Sequence, residues 1–219
     1  MYFYVFGFKE KAMPIEDQNI PEQQKGNQLD TLHQITLNSA EEAGKLFESA
    51  KKRLLDVSHW GEIAKGFSSG FQLTNSHGLE VDRPVQQHDC FKIHIPVPGQ
   101  ESGNGEDWVR VENIQDETDA VADVQVVSVR VRPSSNPQNP TADTAHFFGE
   151  DATSTFVVKR KGNMVSAEVH GRNEVPNLHA DGVWGTVRHA VVALGAILGF
   201  SNHQWKNLTQ GLLEPKKEG

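Results

Sequence analysis

The tightest constraint on this chain is the order of its hydrophobic periods. A helical stripe of Ala43, Leu46, Phe47, Ala50 and Leu54 comes early, alternating strand-like segments fill the middle, and one long apolar helix, Val183 to Leu213, closes the sequence. Strand, helix, short helix, about six antiparallel strands and a final helix predict an α+β fold. The expected form is a curved antiparallel sheet of six to seven strands wrapped around the C-terminal helix, with an N-terminal helix pair. Such a container often encloses a cavity.

At 219 residues the chain fits a single core, since cores commonly reach roughly 200 residues or more before splitting. The expected division is a flexible lead-in over residues 1–28 and one α+β domain over 29–219. Lys9 to Asp30 is rich in Gln, Glu, Asn and Pro and has little to bury. Met1 to Phe8 is aromatic but lacks the basic start, core length and cleavage site of an export signal, and Met13 offers a second start. The formal net charge of −8 argues against a broad nucleic-acid or anionic-membrane footprint. Cys90, the only cysteine, excludes an internal disulfide and a thiolate metal site within one chain, which fits a cytoplasmic protein with this thiol as buried filler.

Local signals place the elements. Leu32 to Leu37 alternates weakly as a first strand, and Ser39 followed by Glu41 and Glu42 has the cap and acidic first turn of a helix. Asp56 to Trp60 turns into a second short helix that ends at Gly66. Phe67 to Thr74 and Leu79 to Pro84 flank Asn75-Ser76-His77-Gly78, a hairpin turn sequence. Strands are expected at Cys90 to Ile95, Trp108 to Ile114 and Val124 to Arg132. The firmest prediction is a long hairpin of Ser154 to Arg160 with Val165 to Arg172. Its residues Val165, Ala167 and Val169 face the core, opposite Glu168 and His170.

The closing helix is not a membrane span. Its uninterrupted apolar run, Ala190 to Phe200, is eleven residues, whereas crossing a bilayer takes about 20. Gly195 and Gly199, with Ala196, give a smooth ridge for close packing. Read from Leu29 to Leu213, the topology resembles the START-like superfamily, also called helix-grip or polyketide-cyclase-like. The passage Ala43 to Trp60, a helix and a Trp-containing turn before the next strand, is the most family-like. In general character the sequence is also similar to bacterial proteins. The resemblance implies an apolar ligand, such as a lipid, sterol, hormone or polyketide, or a cyclisation or hydrolysis carried out in the same cavity.

Three readings follow. In the first, a cavity lined by Phe91, Ile93, Val109, Val127, Val129, Leu194, Ile197 and Leu198 takes an apolar small molecule. In the second, an enzyme converges polar side chains inside that cavity, from His94, Arg110, His170 and Arg172, and a bulge at Gly171 turns Arg172 and Glu174 inward. In the third, Trp60, Trp184 and Phe200 fill the space. The loop Gly99 to Asp107 carries glycines without the Lys-Ser/Thr ending of a phosphate loop. Ten scattered histidines lack helical i, i+4 pairing, and no Gly-x-Ser-x-Gly elbow exists, so no metal, cofactor or covalent nucleophile is implied. Glu168 or His170 beside Arg110 or Arg130 is expected to form a charged cross-strand ladder on the solvent face.

Overall fold

The computed structural model describes residues 15, 18–64, 70–94, 106–139, 148–175 and 202–214. Seven strands form one sheet in the order β1-β7-β6-β5-β4-β3-β2. They are β1 (Asn27–Thr36), β2 (Gly70–Thr74), β3 (Cys90–His94), β4 (Glu106–Asp119), β5 (Val124–Pro133), β6 (Thr153–Lys161) and β7 (Met164–Glu174). All six neighbouring pairs are antiparallel. From β2 to β7 each strand lies beside the next in sequence, whereas β1 sits at the far edge against β7. The connection from β1 to β2 therefore has to cross the whole sheet, about 29 Å at six strand spacings. It does so with α1 (Ala40–Leu55), 16 residues and about 24 Å long.

α1 forms where the cap expected from sequence forms. Ser39 Oγ accepts from the Glu42 amide at 3.1 Å, and the Glu42 carboxylate accepts from the Asn38 amide at 3.2 Å. Ala43, Phe47, Ala50 and Leu54 are buried against the sheet. A 3-10 turn at Val57–His59 then leads into α2 (Trp60–Ile63). The Trp60 indole N–H donates to the carbonyls of Arg53 and Leu54, both at 3.1 Å, which occupies acceptors that the end of α1 leaves open. The last element, α3, is helical over 202–213 and buries Leu208, Leu212 and Leu213. Arg53 Nε donates to the Leu212 carbonyl at 2.6 Å. Gly211 lies so close to the Ile63 carbonyl that a β-carbon would overlap it, so α2 and α3 meet only through a glycine.

This is the expected α+β, helix-grip class: an antiparallel sheet with its helices packed on one face. The β6–β7 hairpin is as expected, closed by Gly162-Asn163 with Gly162 at φ +61°. Other details differ. Leu79 to Pro84 forms a single bridge, Thr74 to Glu80, and not a strand. Pro84 cannot donate to a ladder, and Arg83 clamps Asp89 bidentately at 2.7 and 2.9 Å, which holds this stretch as a loop. β1 starts at Asn27, five residues before the alternation becomes visible. β4 runs on to Asp119 through a bulge at Glu112, between Val111 and Asn113. The expected loop over Gly99 to Gly105 and the apolar part of the closing helix, Val183 to Phe200, lie outside the described residues. Among the described residues no helix is long and apolar enough to cross a membrane.

The stretch read from composition as a lead-in carries specific contacts where it is described. Asn19 is buried on the sheet's outer face: its side chain donates to Ser128 Oγ at 2.8 Å and accepts from Asn113 at 2.9 Å. Its carbonyl accepts from Thr155 at 3.4 Å. These partners are polar residues pointing away from the apolar core, and that is why an apolar pattern gives no sign of them.

Candidate functional site

The inner face of the sheet, covered by the helices, is apolar from β2 to β7. Phe91, Val109, Val127 and Val129 are all buried there, and Ile93 is partly buried against the same cluster. The pairings Phe91 with Val109 and Val129 with Phe156 make these residues one contiguous surface across β3 to β6. Leu194, Ile197 and Leu198, expected to complete the lining, lie outside the described residues. Trp60 enters this surface from α2, with ring centroids 4.6 Å from Phe156, 5.4 Å from Phe71 and 5.9 Å from Phe91. Trp205 of α3 meets Phe156 edge-on at 5.4 Å. The aromatic residues thus fill the α2 end of the inner face. Trp184 and Phe200, named with Trp60 as fillers, lie outside the described residues.

One buried carboxyl breaks the apolar pattern. Between β1 and β7 the register shifts, so that Asn27 opposes Glu174 while Leu29 opposes Gly171. Two residues of β7, Arg172 and Asn173, stand against one of β1, and Asn173 takes φ +57°. Past this bulge the chain has changed parity. Arg172 stays on the outer face, while the Glu174 side chain folds over the inner side of Gly171, where a β-carbon would collide with its Oε1. Glu174 is 7% exposed. Burial pushes its carboxyl up to about 7, with the charge of Arg172 pulling the other way. Among the described residues no hydrogen bond reaches this carboxyl. The sequence signal for it is Gly171, an isolated glycine within a strand.

The four catalytic candidates do not converge on the inner face. Arg110 is exposed on the outer side of β4, opposite Cys90 and Arg132. His170 and Arg172 stand on the outer face of β7, which strict alternation requires once Val165, Ala167 and Val169 face the core. His94 ends β3, paired with Gly70 and Glu106. β6 and β5 lie between β7 and β4, so Arg110 and His170 are three strand spacings apart, about 14 Å.

The outer face is instead a charged network. His170 lies between two carboxylates, Nδ1 at 2.6 Å from Asp30 and Nε2 at 3.0 Å from Glu168, and Arg172 reaches Asp30 at 2.8 Å. With an acceptor on each ring nitrogen, the ring donates twice and is held as the cation. Burial opposes this charge, but the hydrogen bonds to Glu168 and Asp30 outweigh it and raise the pKa. Burial likewise disfavours the Glu168 carboxylate, and its bonds from His170 and Ser166 overcome that and hold it down to about 2. A histidine locked in this way is a structural tie and a poor general base. The expected ladder is therefore present with different partners: Asp30, Arg172 and Lys159 replace Arg110 and Arg130, because β6 separates β7 from β5. Cys90 is buried and its thiol pushed up by burial, as expected of filler. Among the described residues no group of three or more His, Cys, Asp or Glu is placed to hold a metal ion.

No family model matches the sequence, and no curated protein matches it. Solved structures with helix-grip folds resemble it at a distance. A hypothetical protein from Helicobacter pylori is 14% identical, with 85% of this chain and 86% of that one covered and a TM-score of 0.44. Norcoclaurine synthase from Thalictrum flavum is 10% identical, covering 92% and 99% with a TM-score of 0.36. Ara h 8.0201 is 12% identical, covering 85% and 99% with a TM-score of 0.33. These are likenesses of fold alone.

Proposed function

We propose that the chain binds an apolar small molecule carrying one hydrogen-bonding group on the inner face of the sheet, its polar group at Glu174 on β7 and its apolar body reaching across Val129 toward Val109 and Ile93. The observation that carries this reading is the buried inward carboxyl of Glu174 on a mainly apolar surface, without a hydrogen-bond partner among the described residues. Ligand sites commonly combine an apolar lining with a few polar groups that fix orientation. Burial makes this carboxyl costly to ionise, and a hydroxyl or amide of a ligand would recover part of that cost by hydrogen bonding. Leu194, Ile197 and Leu198 are proposed as the remaining lining from the closing helix.

The position of Glu174 also favours a second reading, an acid-base enzyme acting on the same molecule. A carboxyl titrating near neutrality exchanges protons readily at working pH. In this reading Glu174 replaces His94, Arg110, His170 and Arg172 as the catalytic candidate.

The test is native mass spectrometry of protein purified from its own host, joined to titration with an uncharged apolar fluorescent dye, N-phenyl-1-naphthylamine. A retained small molecule, and dye binding abolished by Ile93→Trp with the melting temperature preserved, is the expected result. Protein that carries nothing, with dye binding unchanged in Ile93→Trp and Glu174→Leu, would overturn the binding reading.

A further inference from the structure

A second cleft lies on the opposite side of the sheet. Its volume is about 370 Å³, within the range of small-ligand pockets. One wall is the segment Pro21 to Lys25, and the other is the outer face of β4 to β7 with Asp151 at its rim. The wall is built. Asn173, turned into the left-handed region by the bulge, accepts from the amides of Gln24 and Lys25 at 2.8 and 3.2 Å and donates to the Glu22 carbonyl at 3.3 Å. Its own amide donates to Gln23 Oε1 at 2.9 Å.

The hydrogen-bonding capacity left over in this cleft is mostly that of donors. Arg130 spends Nε on Glu112 at 3.1 Å, and its two terminal nitrogens have no partner among the described residues. Arg132 spends Nε on Glu112 at 2.6 Å and Nη1 on the Glu150 carbonyl at 2.9 Å, which leaves Nη2. At the floor, Thr153 is 3% exposed and its hydroxyl is buried without a partner among the described residues. An orphan hydroxyl of this kind is uncommon in a folded protein and calls for an explanation. Formal charges in the lining balance: Lys25, Arg130 and Arg132 against Glu22, Glu112 and Asp151. Such a site matches a group of single negative charge better than a polyanion.

We propose that this cleft is a binding site for the carboxylate of a small organic molecule, held by the terminal nitrogens of Arg130 with Arg132 Nη2 and the Thr153 hydroxyl. The planar guanidinium fork suits a carboxylate bidentately. The site stands on the opposite face from Glu174 and is independent of the inner-face reading.

The experiment is two-dimensional NMR of the full chain titrated with sodium acetate, inorganic phosphate and sodium chloride at matched ionic strength. Acetate is expected to give saturable shifts at Arg130, Arg132 and Thr153, with phosphate weaker and chloride inert. Arg130→Gln should weaken acetate at least tenfold. Thr153→Val, which replaces the orphan hydroxyl by a methyl of like shape, should weaken acetate severalfold without lowering the melting temperature. Equal responses to acetate and chloride, phosphate binding tighter than acetate, or acetate binding unchanged in a folded Thr153→Val would each overturn the proposal.

Discussion

The two faces of the same sheet use their side chains in opposite ways. On the inner face the strands contribute Val, Phe and Ala, and energy comes from burial without direction. On the outer face the same strands contribute Asp, Glu, His, Arg and Thr around a smaller apolar patch of Val124, Val126 and Val157, and nearly every charged group is tied to a named partner. Each face carries an exception, a buried carboxyl inside and a buried hydroxyl outside, neither hydrogen-bonded among the described residues. The bulges of β4 and β7 shape these two faces. The bulge at Glu112 lets one carboxylate serve both Arg130 and Arg132, and the one at Arg172-Asn173 turns Asn173 to the outside and Glu174 to the inside. The lesson is that a strand with a bulge can serve two surfaces.

The largest loss of stability is expected at Trp60. Trp60→Ala removes a fully buried ring that touches three phenylalanines and caps α1, and is expected to cost about 3–5 kcal/mol by chemical denaturation. Glu174→Gln sharpens the contrast through pH. A carboxyl raised from 4.5 to about 7 by burial opposes folding more and more as pH rises from 4.5 to 7, and then levels off. The variant should match the parent at pH 4 and exceed its stability by about 3 kcal/mol at pH 8.

Much of the inner face was legible in sequence, because valines and phenylalanines at period two report which side is buried. Phe91, Val109, Val127 and Val129 follow from alternation alone, as does the outward placement of His170. Strand order and parity changes were not legible. Nothing local to His170 says that Asp30, 140 residues away, is its partner. The contacts of Asn19 are invisible for the same reason: a polar residue in a polar stretch looks solvated until the sheet supplies Ser128 and Asn113. Gly171 was the one local hint of a bulge, and without the β1 register it could not show which residues would turn inward.

Smaller effects test the outer face. Asn19→Ala leaves buried partners on Ser128 and Asn113 unsatisfied and is expected to cost about 1–3 kcal/mol, with the largest amide shifts on β4 and β5. His170→Gln should cost about 1 kcal/mol at pH 6 and progressively less in alkali. The sign follows from the raised pKa: the stabilisation is complete below the unfolded value of 6.5 and is lost as pH rises through the folded one. Glu168 acts in the other direction, its contribution present above 4.5 and lost as pH falls toward 2.

The most direct measurement is a carbon-13 NMR titration of the Glu174 carboxyl, with and without an apolar probe bound. A midpoint close to pH 7 that moves when the probe binds is the predicted result. A midpoint near 4.5, indifferent to the probe, would place this carboxyl in water and contradict the inner-face site.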